Sequence, residues 1–220
     1  GALARRALEA GKAVYVEKPL CMDPAEGRAL GDLADARGLT LMTGHLLLYH
    51  PAFVALRDFV RDGGLGDLRY VYSHRLNFRG HAGEDDALWD FGPHDLSMIL
   101  ALADELPVRV SAGGGASVHP RTADTVIAHL DFPAGLQAHL FVSWVHPFKE
   151  QRLVVVGEGG TAVFDDVLPG PRKLQFHPHL VEWSGEAASV IRAEGTPIPY
   201  GTDEPLAVEC GHFLDCIVTA

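Results

Sequence analysis

The sequence predicts an α/β protein in two parts: a short parallel sheet with crossovers, followed by an α+β domain with a large open, mainly antiparallel sheet. Three observations carry that expectation. Residues 2–43 run helix, strand, helix, strand, the order of a parallel sheet with crossovers. Residues 68–165 instead hold many short strands with hairpin-length links. Between them, Asp62-Gly63-Gly64-Leu65-Gly66-Asp67 is a turn-rich break, which divides the chain into 1–66 and 67–220.

Residues 2–10, rich in Ala, Leu and Arg, form a helix that stops at Gly11, the residue that adopts a left-handed turn most cheaply. Ala13-Val14-Tyr15-Val16 is a short apolar run suited to a strand buried on both faces, and it leads directly into Glu17-Lys18-Pro19. Asp23 and Pro24 make a cap and first-turn pair for a helix through about Arg37, which Gly38 ends. Leu39 to Thr43 reads as the second strand and His50 to Arg61 as an amphipathic helix.

In the second part the pattern gives a strand at 68–78, an irregular segment, and a helix over about 93–104. Strands follow near 108–118, 123–132, 135–145, 151–156 and 161–165, linked by Pro133-Ala134-Gly135 and Gly157-Glu158-Gly159-Gly160. The prolines of 166–200 predict an irregular excursion with one strand near 173–177, and Asp203 begins a final helix. No internal repeat or low-complexity stretch interrupts this order.

Composition narrows the function classes. With 220 residues, 47% hydrophobic and 21% charged, the chain buries a core, which excludes disordered, collagenous and coiled-coil classes. Lys and Arg total 18 against 29 Asp and Glu, a net charge of −11 that repels phosphate backbones and anionic lipid, so neither nucleic acid nor a membrane is an expected partner. Cys21, Cys210 and Cys216 form no disulfide framework and no closely spaced metal pair, and no apolar run reaches the roughly 20 residues of a bilayer span. Arg5-Arg6 is followed by no apolar signal core. The expected location is cytoplasmic. The chain opens at Gly1 inside a helical pattern, so a natural start is expected upstream.

Neither glycine cluster reads as a phosphate cradle. Gly113-Gly114-Gly115 is followed by His119-Pro120 and no helical pattern, and Gly157–Gly160 leads into another strand, so a turn or bulge suits each better. Lys18, between a strand and a proline, is either an ordinary loop lysine or an ammonium aimed at the ligand edge of a parallel sheet with Glu17 beside it.

In Trp89-Asp90-Phe91-Gly92-Pro93-His94-Asp95-Leu96, Asp90 and His94 stand four apart, as an acid–base pair requires, although Asp90 as a plain helix cap fits equally. If Pro93 opens the helix, the helix dipole disfavours the imidazolium of His94 while Asp90 favours it, leaving a base poised near neutrality. Arg75 and Asn77 alternate onto one strand face, to grip hydroxyls or phosphate or simply to be solvated. Trp144-Val145-His146-Pro147-Phe148-Lys149 gathers groups that suit a sugar or nucleotide, or is an ordinary strand end. His45 with His50, and His177 with His179, supply at most two ligands each, so no metal site is expected.

Together these residues resemble the glucose-fructose oxidoreductase, inositol dehydrogenase and MocA-like (Gfo/Idh/MocA) family of nicotinamide-dependent enzymes. The resemblance rests on Glu17-Lys18-Pro19 at a strand end, Asp90-Phe91-Gly92-Pro93-His94, and the ending Glu204-Pro205-Leu206 and His212-Phe213-Leu214-Asp215-Cys216-Ile217, and it covers essentially the whole chain. The stretches Tyr72-Ser73-His74-Arg75-Leu76-Asn77, Leu88-Trp89 and 143–151 look most like the branch that oxidises the third carbon of UDP-N-acetylglucosamine or its uronate.

The resemblance implies that His94 takes a hydroxyl proton as hydride leaves, Asp90 orients His94 or the sugar, and Lys18 holds the substrate hydroxyl and cofactor ribose. Glu17, Lys18 and Pro19 are the expected cofactor-binding residues for NAD or NADP. The expected substrate-binding set is His45, Tyr49, Arg75, Asn77, Trp144, His146 and Lys149, with a sugar or UDP-sugar as ligand. The C-terminal sheet is expected to form a homo-oligomer. The resemblance makes residues 1–66 the remnant, the C-terminal part, of a Rossmann dinucleotide-binding domain whose pyrophosphate-binding glycine turn and acidic ribose ligand precede the Glu-Lys-Pro strand, so this chain alone is expected to bind NAD weakly or not at all. A non-catalytic sugar-nucleotide-binding or assembly module is the alternative, and a metal-dependent sugar isomerase or hydrolase a third class.

Overall fold

A computed structural model describes residues 1–79, 85–118, 121–184 and 187–219, with side chains except at 180–184, 187, 188, 191 and 192. In chain order the elements are α1 (Ala2–Glu9), β1 (Val14–Glu17), α2 (Pro24–Arg37), β2 (Leu41–Gly44), a 3-10 turn at Leu46–Tyr49, α3 (Pro51–Arg61), β3 (Leu68–Phe78) and α4 (Ala87–Ala103). Then follow β4 (Arg109–Gly115), β5 (Thr125–Asp131), β6 (Gln137–Ser143), β7 (Val145–Gly157) and β8 (Gly160–Asp165). A 3-10 turn at Gly170–Arg172 leads to β9 (Leu174–Ser184), β10 (Ala187–Arg192), β11 (Thr196–Pro197) and α5 (Pro205–Thr219). The chain forms two compact units, Gly1–His50 with Asp203–Ala220, and Pro51–Thr202.

In the first unit, β1 and β2 pair in parallel from Val14 opposite Leu41 to Glu17 opposite Gly44, so both strands end at one edge. The Asp23 carboxylate accepts the Ala25 N–H at 2.8 Å and Gly38 closes α2 at φ 60°, the cap and stop that the sequence predicts. Ala4, Leu8, Leu30 and Ala34 form the buried core, with Val14, Val16 and Leu41 packed against it. The β1 residues 14–16 are half-buried rather than enclosed on both faces, because α1 and α2 contribute this core to a sheet of only two strands.

The second unit is a mixed sheet in the order β10-β9-β8-β7-β3-β6-β5-β4, with β11 on β9. Only β3 and β6 pair in parallel; the other pairs are antiparallel. Strand alternation sends Val71, Ser73 and Arg75 of β3 and Ala138, Leu140 and Val142 of β6 into the interior, where Met98, Ile99 and Leu102 of α4 are also buried. The opposite face carries Tyr72 stacked on His139 at 5.5 Å and His74 edge-on to Phe141 at 5.9 Å.

Several expectations change. The division falls after His50 instead of residue 66, because α3 packs on α4 and β8, with Phe59 and Phe176 rings 5.1 Å apart. The final helix groups with the first unit. Helix α4 begins at Ala87 rather than near residue 93, capped by Asp86, which accepts the Trp89 N–H at 2.9 Å. Gly113–Gly115 form no turn but lie within β4; His119 and Pro120 lie outside the described residues, as do 80–84 of the expected irregular segment.

Strand β7 extends well beyond 151–156, and residues 166–200 hold three strands in place of one. Prolines are tolerated in that region where pairing runs out: Pro178 lies opposite Gly160, the first residue of β8, where the β8–β9 pairing ends and a missing N–H costs little. Among the described residues no helix is long and apolar enough to cross a membrane.

Candidate functional site

At the carboxyl ends of β1 and β2 in the first unit, the parallel register places Glu17-Lys18-Pro19 beside Gly44-His45. The Lys18–Pro19 peptide is cis. Gly44 is required here, because a Cβ at this position would stand 2.5 Å from the Tyr15 hydroxyl oxygen. Burial lowers the His45 pKa and the Lys18 ammonium lowers it further, against the opposing charge of Glu17, so the ring is neutral at pH 7. Its Nδ1 is buried without a hydrogen-bond partner. A neutral imidazole with an unused nitrogen beside an ammonium has the chemistry to meet a ligand hydroxyl or amide.

Tyr49, expected on substrate, instead shares a 2.7 Å hydrogen bond with Nδ1 of His212 on α5. Burial raises its pKa, with Glu209 and Cys216 adding to the shift. His212 Nε2 in turn lies 3.4 Å from the Cys216 sulfur, one helical turn on.

The second unit organises its chemistry around α4. Asp90 and His94 lie one turn apart on this helix, the spacing that the acid–base pair needs. The structure removes the dipole argument: His94 lies well past the first turn of a helix that starts at Ala87, whereas the dipole acts only over the terminal turn. Asp90 is not the helix cap either, since Asp86 fills that place. The Asp90 Oδ2 accepts the Trp144 indole N–H at 3.0 Å and a charged contact from the Arg79 guanidinium, which also lies 5.9 Å from the Phe91 ring.

Two expected substrate residues therefore do other work. Trp144 is 3% exposed and donates to Asp90 rather than offering a surface to a sugar. Arg75, 6% exposed, faces α4 and grips Asp95 through Nε at 2.5 Å, while Ser73 donates to the other Asp95 oxygen. Its position on an inward strand face explains the pairing: a buried guanidinium needs a carboxylate, and Asp95 is the one that α4 presents. Asn77 is half-buried farther along β3, and Lys149 is exposed on β7. His146, also on β7, packs edge-on to Phe148 at 4.5 Å and has a buried Nε2 with no hydrogen-bond partner.

Arg79, Asp95 and Glu209 escape a reading of the sequence alone. Glu209 carried a usable signal, since Glu209, His212, Phe213 and Cys216 fall at helical spacing on one face of α5. Arg79 and Asp95 carried none, because their partners come from other elements.

Residues 1–45 match the model of the oxidoreductase family with an NAD-binding Rossmann fold, and residues 53–163 match that of the GFO/IDH/MocA C-terminal domain. UDP-N-acetylglucosamine 3-dehydrogenase of Acidithiobacillus ferrooxidans is 34% identical over 155 residues, covering 69% of this chain and 48% of that protein. Trans-1,2-dihydrobenzene-1,2-diol dehydrogenase of Oryctolagus cuniculus is 33% identical over 218 residues, 96% of this chain and 64% of that one. The chain thus spans about half to two thirds of the length of these relatives.

A solved structure of the Acidithiobacillus ferrooxidans enzyme superposes with a TM-score of 0.82 at 28% identity, over 99% of this chain and 66% of that one. The two matched regions take in the parallel strand pair and the open sheet from β3 to β8, and the chain belongs to the Gfo/Idh/MocA family of NAD-binding oxidoreductases.

Proposed function

We propose that this chain supplies the substrate side and part of the cofactor side of an NAD- or NADP-dependent dehydrogenase acting on a sugar hydroxyl, with the third carbon of a UDP-amino sugar as the favoured position. The observation that carries the reading is Asp90, a carboxylate held by Trp144 and Arg79 one helical turn before His94. Such anchoring holds the carboxylate in place, which a residue that orients a base or a sugar needs. The similarity to a UDP-N-acetylglucosamine 3-dehydrogenase supports the choice of substrate class.

In this mechanism the His94 imidazole takes the proton of the substrate hydroxyl, a role worth about 10²–10⁴ in rate. Asp90 orients His94 or the sugar. In the other unit, the resemblance assigns to the Lys18 ammonium a hydrogen bond to a substrate hydroxyl and to the cofactor ribose. Glu17 and Pro19 shape that strand end, and the unused Nδ1 of neutral His45 fits a polar group of the ligand. His146, Asn77 and Lys149 are the remaining candidates for sugar or phosphate contact, while Tyr49, Arg75 and Trp144 support the frame. When bound, the nicotinamide supplies the hydride acceptor.

NADH formation from UDP-N-acetylglucosamine by the full-length protein, compared with its His94→Ala variant, tests the reading. Turnover falls by about a hundredfold or more if His94 is the base; near-normal turnover in the variant removes it from that role.

A second reading, an assembly module, draws on the sheet face opposite α4, where Tyr70 and Ile127 are 43% and 56% exposed. A concentration-dependent solution mass, with loss of the larger species on Ile127→Glu, would support a homo-oligomer formed through that sheet. A constant monomer mass would reject it.

A further inference from the structure

Glu209 is the one glutamate in the buried set of the described residues, with 0% of its surface exposed. It lies on α5, far from β1 and β2 in sequence yet in the same compact unit. Its carboxyl group faces the Tyr15 hydroxyl from β1 and the main-chain N–H of His45 just after β2. Neither contact reaches full hydrogen-bond geometry. The helix is tied down in the turns that follow: Tyr15 meets Phe213 at 5.7 Å between ring centres, Tyr49 bonds His212, and Thr40 Oγ1 donates to the Cys216 carbonyl at 3.5 Å. A buried carboxyl group placed without good partners costs stability, so its placement calls for a compensating role.

We propose that Glu209 is a positioning residue for the ligand edge of the first unit, bridging Tyr15 of β1 and the His45 main chain after β2 and so setting the strand ends that present Lys18 and the His45 ring. The assignment of that edge to ligand binding rests on the proposed function; the bridge itself does not. The titratable groups that face Glu209 are Tyr15 and Glu17 from β1 and Tyr49 from the 3-10 turn, while Cys210 on its own helix faces Tyr15 in turn. Burial and the Glu17 charge push the Glu209 carboxyl above its ordinary range, against the Tyr15 and His45 contacts. The Tyr15 phenol is pushed up by burial and then by Glu209, which is the same coupling seen from the other partner.

Two-dimensional NMR of the chain from about pH 4 to about pH 9 tests the bridge against Glu209→Gln and Glu209→Ala. The His45 amide signal of the unmodified chain is expected to follow a titration whose midpoint lies above the ordinary glutamate value, and this titration vanishes in Glu209→Gln. Hydrogen exchange at the His45 N–H stays within about threefold in the Gln variant, which keeps an acceptor oxygen, and speeds up at least about tenfold in the Ala variant. A His45 titration that survives in Glu209→Gln, or equal exchange in both variants, overturns the proposal. If Glu209→Ala does not fold, the Gln titration decides alone. No cofactor enters these readouts, so failure of the dehydrogenase reading and failure of the bridge are told apart.

Discussion

Three buried or half-buried carboxylates contrast between the two units. In Pro51–Thr202, Asp95 has Arg75 and Ser73, and Asp90 has Arg79 and Trp144. In Gly1–His50 with Asp203–Ala220, Glu209 is buried among Tyr15, His45 and Glu17 with no contact of full geometry. A carboxylate held by two donors is fixed in place, while one buried without a well-aligned partner stays responsive to its neighbours. The difference teaches that the α4 site is prepared within its own unit, while the strand-end site keeps hydrogen-bonding capacity, the unused His45 Nδ1 included, that a ligand can complete.

The largest effect expected of a change that breaks this contrast, after the loss of turnover in His94→Ala, is on stability. Asp95→Ala strands the Arg75 guanidinium in the interior and destabilises the second unit by about 3–5 kcal/mol. Urea unfolding followed by tryptophan fluorescence reads this directly, since Trp89, Trp144 and Trp183 all belong to that unit. The double change Arg75→Met with Asp95→Leu, which removes both charges, is expected to recover most of the loss; equal loss in the double variant would show that the pair does more than satisfy itself.

Trp144→Phe comes next. It keeps the ring buried and removes only the N–H donated to Asp90, at a cost of about 1–3 kcal/mol in the same assay. Arg79→Ala removes the other donor to Asp90, but that side chain is half exposed, so the cost is expected below about 1 kcal/mol. If Arg79→Ala proves the more costly of the two, the surface contact and not the buried indole anchors Asp90.

The smallest effect sharpens the comparison through pH. Because the folded-state pKa of Glu209 is raised, the folded chain binds more protons than the unfolded chain between the ordinary value of 4.5 and the raised one. The stability linked to this proton is complete below that ordinary value and is lost as pH rises through the folded pKa. Glu209→Gln removes the dependence, so the variant gains on the parent as pH rises above 4.5. Thermal melting of both chains at mildly acidic and mildly alkaline pH measures the gap. A constant gap would mean that the carboxyl does not titrate in that window.

Much of the fold is legible in the sequence wherever a local rule acts. Asp23-Pro24 and Gly38 bound α2, and β3 covers the 68–78 that the sequence predicts. Gly92-Pro93 resembles a helix opening, whereas Asp86 caps α4 and the proline sits inside the helix. The prolines of 166–200 suggest an irregular stretch, yet β9 and β10 pair there, and Pro178 is tolerated by its place opposite the first residue of β8.

The site divides in the same way. Covalent spacing and the helical repeat bring Asp90 and His94 onto one turn, and the strand's length puts Lys18 after its last residue; these relations need no partner and were settled by the amino-acid order. What each polar side chain meets was decided only by tertiary packing. Arg75 finds Asp95, Trp144 finds Asp90, and Glu209 reaches His45 across a long stretch of chain, because burial forces a polar group to pair with whatever the neighbouring element presents, and that neighbour is chosen by the fold as a whole.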